Sequence, residues 1–100
     1  ADASEVALVH CTKEGEQIVL DSLVSLLGGG SLVTNDLHFA GSLHNLLGLR
    51  DAGMDVRIVR SRGFEVDLEQ MADQIDDRTA LVSVTLVSNV NGRVEPMKEL

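Results

Sequence analysis

Aromatic residues are almost missing from this sequence: Phe39 and Phe64 stand alone, with no Trp and no Tyr. A core without large rings must be filled by Leu, Val and Ile, which suits a parallel sheet covered by helices. Cys11 is the single cysteine, so an internal disulfide cannot form and a small disulfide-stapled scaffold is excluded. Basic residues number 8 against 16 acidic ones, for a net charge of −8. Nucleic-acid binding needs clustered Lys and Arg to meet phosphate, so no nucleic-acid partner is expected. No apolar run reaches the ~18 residues of a membrane-spanning helix, and no membrane partner is expected either. The strong net charge adds the expectation of a cytoplasmic protein. One hundred residues bound the reading to one domain at most.

What is present is a repeated alternation of short apolar runs and helical periods. Val6-Ala7-Leu8-Val9 reads as a short buried strand leading into His10-Cys11-Thr12-Lys13. From Glu14 to about Leu27 the apolar residues Val19, Leu20, Leu23, Val24 and Leu27 share one helical face. Gly28-Gly29-Gly30 should stop that helix, because glycine takes the left-handed cap at low cost. Ser31–Thr34 reads as a strand, Asn35–Phe39 as a loop, Ala40–Asp51 as a helix ended by Gly53, and Met54–Arg60 as a strand. Asp67 and Gln70 have the spacing of a capping box for a helix carrying Leu68, Met71, Ala72 and Ile75. The run from Leu81 to Val87 is a strand too apolar to have a wet face, and it spills into Ser88-Asn89-Val90-Asn91-Gly92. Glu95-Pro96 suggests one more helix start. The order β-α-β-α-β-α-β predicts an α/β fold, three layers deep (α/β/α), with a mainly parallel sheet and helices on its faces. A fifth βα unit would come next, so the chain is expected to be a piece of a longer protein.

In such sheets ligands bind just past the carboxyl ends of the strands. Three loops hold that position: His10–Lys13, Asn35–Phe39 and Ser88–Gly92. Thr12 and the free amides of a helix start can bind phosphate, with Lys13 adding positive charge. Equally, Thr12 can serve only as the N-cap. His38 offers a flat ring for stacking on a planar ligand, though a lone histidine is more often an ordinary structural residue. His10 and His44 have no partners at zinc spacing, and Cys11 has no C-x-x-C context, which leaves it a small buried residue at a strand end. Neither a P-loop nor a G-x-G-x-x-G fingerprint is present.

Five segments occur in one order: Thr12-Lys13-Glu14-Gly15, Val33-Thr34 through Leu37-His38, Val66-Asp67-Leu68, Asp77-Arg78-Thr79-Ala80-Leu81-Val82 and Val87-Ser88-Asn89-Val90-Asn91-Gly92. Together they resemble the class V aminotransferase family of fold-type I pyridoxal-phosphate (PLP) enzymes, a group that includes cysteine desulfurases, selenocysteine lyases and isopenicillin-N-epimerase-like proteins. The resemblance implies that residues 1–100 form the front part of the PLP-binding large domain. It implies that Thr12 and Lys13 meet the cofactor phosphate, that His38 stacks on the pyridine, and that Asn89 lies near the substrate carboxylate and the ring. Lys13 and Leu37 depart from the family pattern, where a second Thr and an acid are usual. The family's Schiff-base lysine, the acid facing the ring nitrogen and the substrate-binding arginine have no counterpart in this segment, so catalytic residues are not assigned and the segment alone is expected to be inactive.

The resemblance implies a homodimeric enzyme acting on an amino acid, a desulfurase-like C–S lyase or a related lyase or epimerase. The alternative is a non-catalytic α/β module binding a phosphorylated ligand or a partner protein.

Overall fold

The computed structural model describes residues 2–26 and 29–99. Its centre is strand β1 (Ser31–Asn35), in which every residue is buried. Strand β2 (Asp55–Val59) lies on one side of it and strand β3 (Thr79–Val82) on the other, both parallel to it. Helix α2 (Ala40–Asp51) connects β1 to β2, and helix α3 (Leu68–Asp73) connects β2 to β3. Helix α1 (Thr12–Val24) precedes the sheet.

Alternation along β1 explains the three layers, since successive side chains point to opposite faces. Leu32 joins Leu20 of α1 and Leu46 of α2 in one core cluster, with Leu49, Met54, Val56 and Leu81 packed around it. Val33 faces the other way, into a cluster with Leu37, Val59, Val66 and Met71 of α3. Helices therefore cover both faces of a parallel sheet, as the β-α order predicts.

Local chemistry sets the element ends. Gly53 takes φ 100° after α2, a conformation that costs glycine little. Asp67 caps α3 by accepting from the Glu69 amide at 2.9 Å. That bond goes to the second helical amide, and the Gln70 side chain reaches the Asp67 carboxylate rather than its amide, so Asp67 is a simple N-cap and the expected capping box does not form. Arg57 on β2 clasps the approach to β3: it donates to the Gln74 carbonyl at 2.7 Å and to Asp76 at 2.8 Å, and also pairs with Asp55. Asp76 in turn accepts from the Arg78 amide at 2.9 Å, which shapes the polar turn before β3.

Several expectations are corrected. Val6–Val9 forms no strand. The chain passes from a 3-10 turn at Ala3–Glu5 to α1 without regular structure and bends at His10 and Cys11, with Val6 63% and Leu8 98% exposed. An apolar run becomes a strand only where a neighbour completes its hydrogen-bond ladder, and this run pairs with nothing among the described residues. The strand at Leu81 is shorter than the apolar run and alternates between half-buried and exposed, because β3 lies at the sheet edge with β1 as its one neighbour. Of the expected apolar face of α1, Leu20 is buried and Leu23 half-buried, while Val19 and Val24 are exposed. Leu27 and Gly28 lie outside the described residues. After Glu95-Pro96 the chain makes one turn, with the Glu99 amide donating to the Pro96 carbonyl, in place of the expected helix.

Candidate functional site

The start of α1 and the exits of β1 and β3 meet around one pocket. Its volume is ≈ 730 Å³, within the range of small-molecule sites. Cys11, Thr12 and Lys13 come from the entry to α1, and Glu16 from its next turn. His38 and Phe39 come from the loop after β1; Ser83, Val84, Thr85 and Leu86 follow β3. The pocket thus sits where parallel strands end and a helix begins, the position expected of a ligand site in an α/β sheet.

Cys11, rather than Thr12, is the N-cap of α1. It is extended (φ −159°, ψ 164°), and its side chain makes no capping bond. Thr12 is the first helical residue, so its hydroxyl is not spent on the cap. Cys11 is exposed, not buried as its sequence context suggests. With no side-chain cap, the first-turn amides and the positive end of the helix dipole are available to an anion. Glu14 folds back one turn, its carboxylate accepting from the His10 amide at 2.6 Å and lying 3.0 Å from His10 Nδ1. Lys13 stands on the pocket wall beside Thr12.

His38 is 8% exposed and held on both sides. Its Nδ1 lies 2.9 Å from Thr85 Oγ1 and its Nε2 lies 3.2 Å from Ser83 Oγ. The same Thr85 oxygen accepts from the Phe39 amide at 3.3 Å. Glu16 Oε1 stands 3.9 Å from His38 Nε2. Burial pushes the His38 pKa below its ordinary 6.5 because it penalises the charged ring, and the Glu16 carboxylate opposes that shift. Burial thus favours the neutral ring.

Among the residues singled out from the sequence, the fold brings Thr12, Lys13 and His38 together. Asn89 is exposed and stands outside the pocket lining. The loop that carries it closes on itself: the Gly92 amide donates to the Ser88 carbonyl at 2.8 Å, with Gly92 at φ 68°. Ser88 Oγ then donates to the Leu37 carbonyl at 2.9 Å, which ties this loop to the one bearing His38. Leu37, off the family pattern, is 5% exposed within the α3-side core cluster. The sequence reading missed Glu16, Ser83 and Thr85. Glu16 is one helical turn from Thr12, and Ser83 and Thr85 are two apart in an extended run, so each spacing held the signal. No group of three or more His, Cys, Asp or Glu residues is placed to hold a metal among the described residues. No described helix is long and apolar enough to cross a membrane.

Comparison with known proteins gives one consistent result. The profile of the family described as Aminotransferase class-V matches residues 1–100. The chain is 36% identical over 101 residues to a probable cysteine desulfurase of Methanothermobacter thermautotrophicus, covering 100% of this chain and 25% of that protein. It is 32% identical over 105 residues to a cysteine desulfurase of Yersinia pestis (strain Pestoides F), covering 100% of this chain and 26% of that protein. A cysteine desulfurase of Yersinia pseudotuberculosis serotype O:1b is 31% identical over the same span. The chain spans about a quarter of the length of the curated relatives it matches. No solved structure matches it at comparable significance.

Proposed function

We infer function from one premise: this chain belongs to the class-V aminotransferase family, a family of PLP-dependent enzymes of amino acids. The chain is proposed to be part of a PLP-dependent enzyme, a C–S lyase of the desulfurase kind or a related lyase or epimerase, with the Schiff-base lysine elsewhere in the protein. The observation that carries this reading is the convergence of Thr12, Lys13 and His38 on one pocket.

The residues present fit the cofactor. A phosphate suits the uncapped start of α1, where the Thr12 hydroxyl, the first-turn amides and the Lys13 ammonium can all serve it. A flat pyridine suits the neutral face of His38. Phe39, Val84 and Leu86 line the same pocket and offer apolar surface to the ring. When bound, PLP supplies an electron sink for charge developing on the amino-acid substrate. The task of this segment is to bind and orient; proton transfer at the substrate belongs to residues it does not carry. Asn89 is proposed to reach the substrate carboxylate from the neighbouring loop, which Ser88 anchors to the His38 loop. By the same reading the full protein is a cytoplasmic homodimer, and residues 1–100 alone are inactive.

The two departures from the family pattern do not favour a non-catalytic module. Leu37 has a place in the core, and Lys13 puts positive charge where an anion is expected. The test is the absorbance of the purified full-length protein from about 300 to about 500 nm, where a PLP Schiff base absorbs. A band that borohydride abolishes is the expected result. A flat spectrum, even after PLP is added, would overturn the proposal in favour of the binding module.

A further inference from the structure

Glu16, on the first turns of α1, is unusually placed. Its side chain is 17% exposed, and Oε2 is buried with no hydrogen-bond partner among the described residues. Oε1 is 3.9 Å from His38 Nε2, and no Lys or Arg forms an ion pair with it among the described residues. A carboxylate held from water needs a donor aimed at it. His38 Nε2, at 3.9 Å from Oε1, lies beyond hydrogen-bond distance but close enough for the carboxylate's charge to act on the ring.

One arrangement of the hydroxyls around the ring fits the same direction. Thr85 Oγ1 already accepts from the Phe39 amide, and its own proton has His38 Nδ1 at 2.9 Å as an acceptor. With Nδ1 accepting, the single proton of the neutral ring lies on Nε2. There it can donate to Ser83 Oγ at 3.2 Å, with Glu16 Oε1 3.9 Å from the same nitrogen. The opposite tautomer would turn the Nε2 lone pair toward a negative charge.

We propose that Glu16 is a positioning residue for His38, holding the ring proton on Nε2 and leaving Nδ1 to accept from Thr85. The proposal deepens the reading of this pocket as the cofactor site: a ring locked in tautomer and plane presents one fixed face to a planar ligand. Glu16 comes from α1, the same helix that offers Thr12 and Lys13 to the phosphate, so one helix turn sets both the anion site and the ring. The other titratable groups on the pocket wall are Lys13 and Cys11; Ser83, Thr85 and Ser42, which complete the polar lining near the ring, carry no charge.

Nitrogen NMR of the full-length protein labelled with 15N-histidine, without added PLP, tests this directly. A His38→Gln variant identifies the His38 signals, and His10 and His44 serve as internal controls. The wild type is expected to show the Nε2-protonated tautomer. Glu16→Gln should lower the His38 pKa by about 0.5–1 unit and let the second tautomer appear, and Glu16→Asp should restore part of the change. An Nδ1-protonated ring in the wild type would overturn the proposal without any variant. So would an unchanged tautomer and pKa in Glu16→Gln. Because the readout is the ring itself, failure here leaves the absorbance test of PLP binding untouched, and failure of that test leaves this one standing.

Discussion

The hydroxyl of Thr85 lies 2.9 Å from Nδ1 of His38, a contact between residues 47 apart in the chain. It joins the exit of β3 to the loop after β1, and the same oxygen accepts a hydrogen bond from the Phe39 amide. Thr85→Val keeps the shape and removes both bonds. The expected cost is about 1–3 kcal/mol, because a largely buried ring nitrogen and an amide lose their partner together. Urea unfolding of variant and wild type measures it, and Thr85→Ser should recover most of the loss. The PLP affinity of Thr85→Val should fall as well, since the ring is no longer held in one plane.

Leu46 is fully buried, midway along α2, and packs with Leu20 and Leu32 on one sheet face. Leu46→Ala removes the contact that fastens α1 and α2 to β1. A loss of about 2–5 kcal/mol is expected from denaturant midpoints. Because α1 carries the proposed anion site, PLP binding should weaken in parallel with stability at temperatures near the transition.

The burial of His38 gives stability a pH dependence. Its folded pKa lies below 6.5, so in the window between the two values the unfolded chain binds more protons than the folded one. Stability should therefore rise as pH increases through that window and level off above about pH 6.5. Thermal midpoints between about pH 5 and about pH 8 should show this limb, and His38→Gln should flatten it. A midpoint that falls as pH rises over the same range would reverse the sign of the argument.

Gly41 is the second residue of α2 and lies against two residues of the pocket wall, Phe39 and Lys13. A Cβ there would lie 2.8 Å from Phe39 Cε1 and 3.4 Å from Lys13 Cδ. Both neighbours are side-chain atoms, so they can move, and the move disturbs the pocket rather than the core. Gly41→Ala should leave the thermal midpoint nearly unchanged, helped by the better helix propensity of alanine. PLP affinity should drop severalfold, which a spectroscopic titration measures. Equal loss of stability and affinity would place Gly41 in the fold instead of at the site.

Much of this was readable from the chain because local signals agreed with the global fold. The β1–α2–β2 stretch is read to within about a residue: its strands are bounded by glycines and polar loops, and Gly53 marks the end of α2. Thr12 and Lys13 could be placed at a helix start, and His38 in the loop after a strand, before any geometry was known. Val6–Val9 misled because apolar composition does not specify a ladder partner. Thr12 and Cys11 exchanged roles at the cap because that choice rests on a one-residue shift of the helix start. Glu16, Ser83 and Thr85 matter only once α1 and the exit of β3 meet at His38, and that meeting is a tertiary event. Ser83 and Thr85 nevertheless interrupt an apolar run at strand spacing, a polar stripe that patterning alone could expose.

The central claim is that the pocket between the start of α1 and the ends of β1 and β3 holds PLP. A crystal structure of the full-length protein grown with PLP tests it most directly. The account predicts the phosphate within hydrogen-bonding distance of Thr12 Oγ1 and the first-turn amides of α1, with Lys13 beside it and the pyridine against the His38 ring. PLP bound elsewhere, with this pocket filled by solvent or by another segment of the protein, would contradict it.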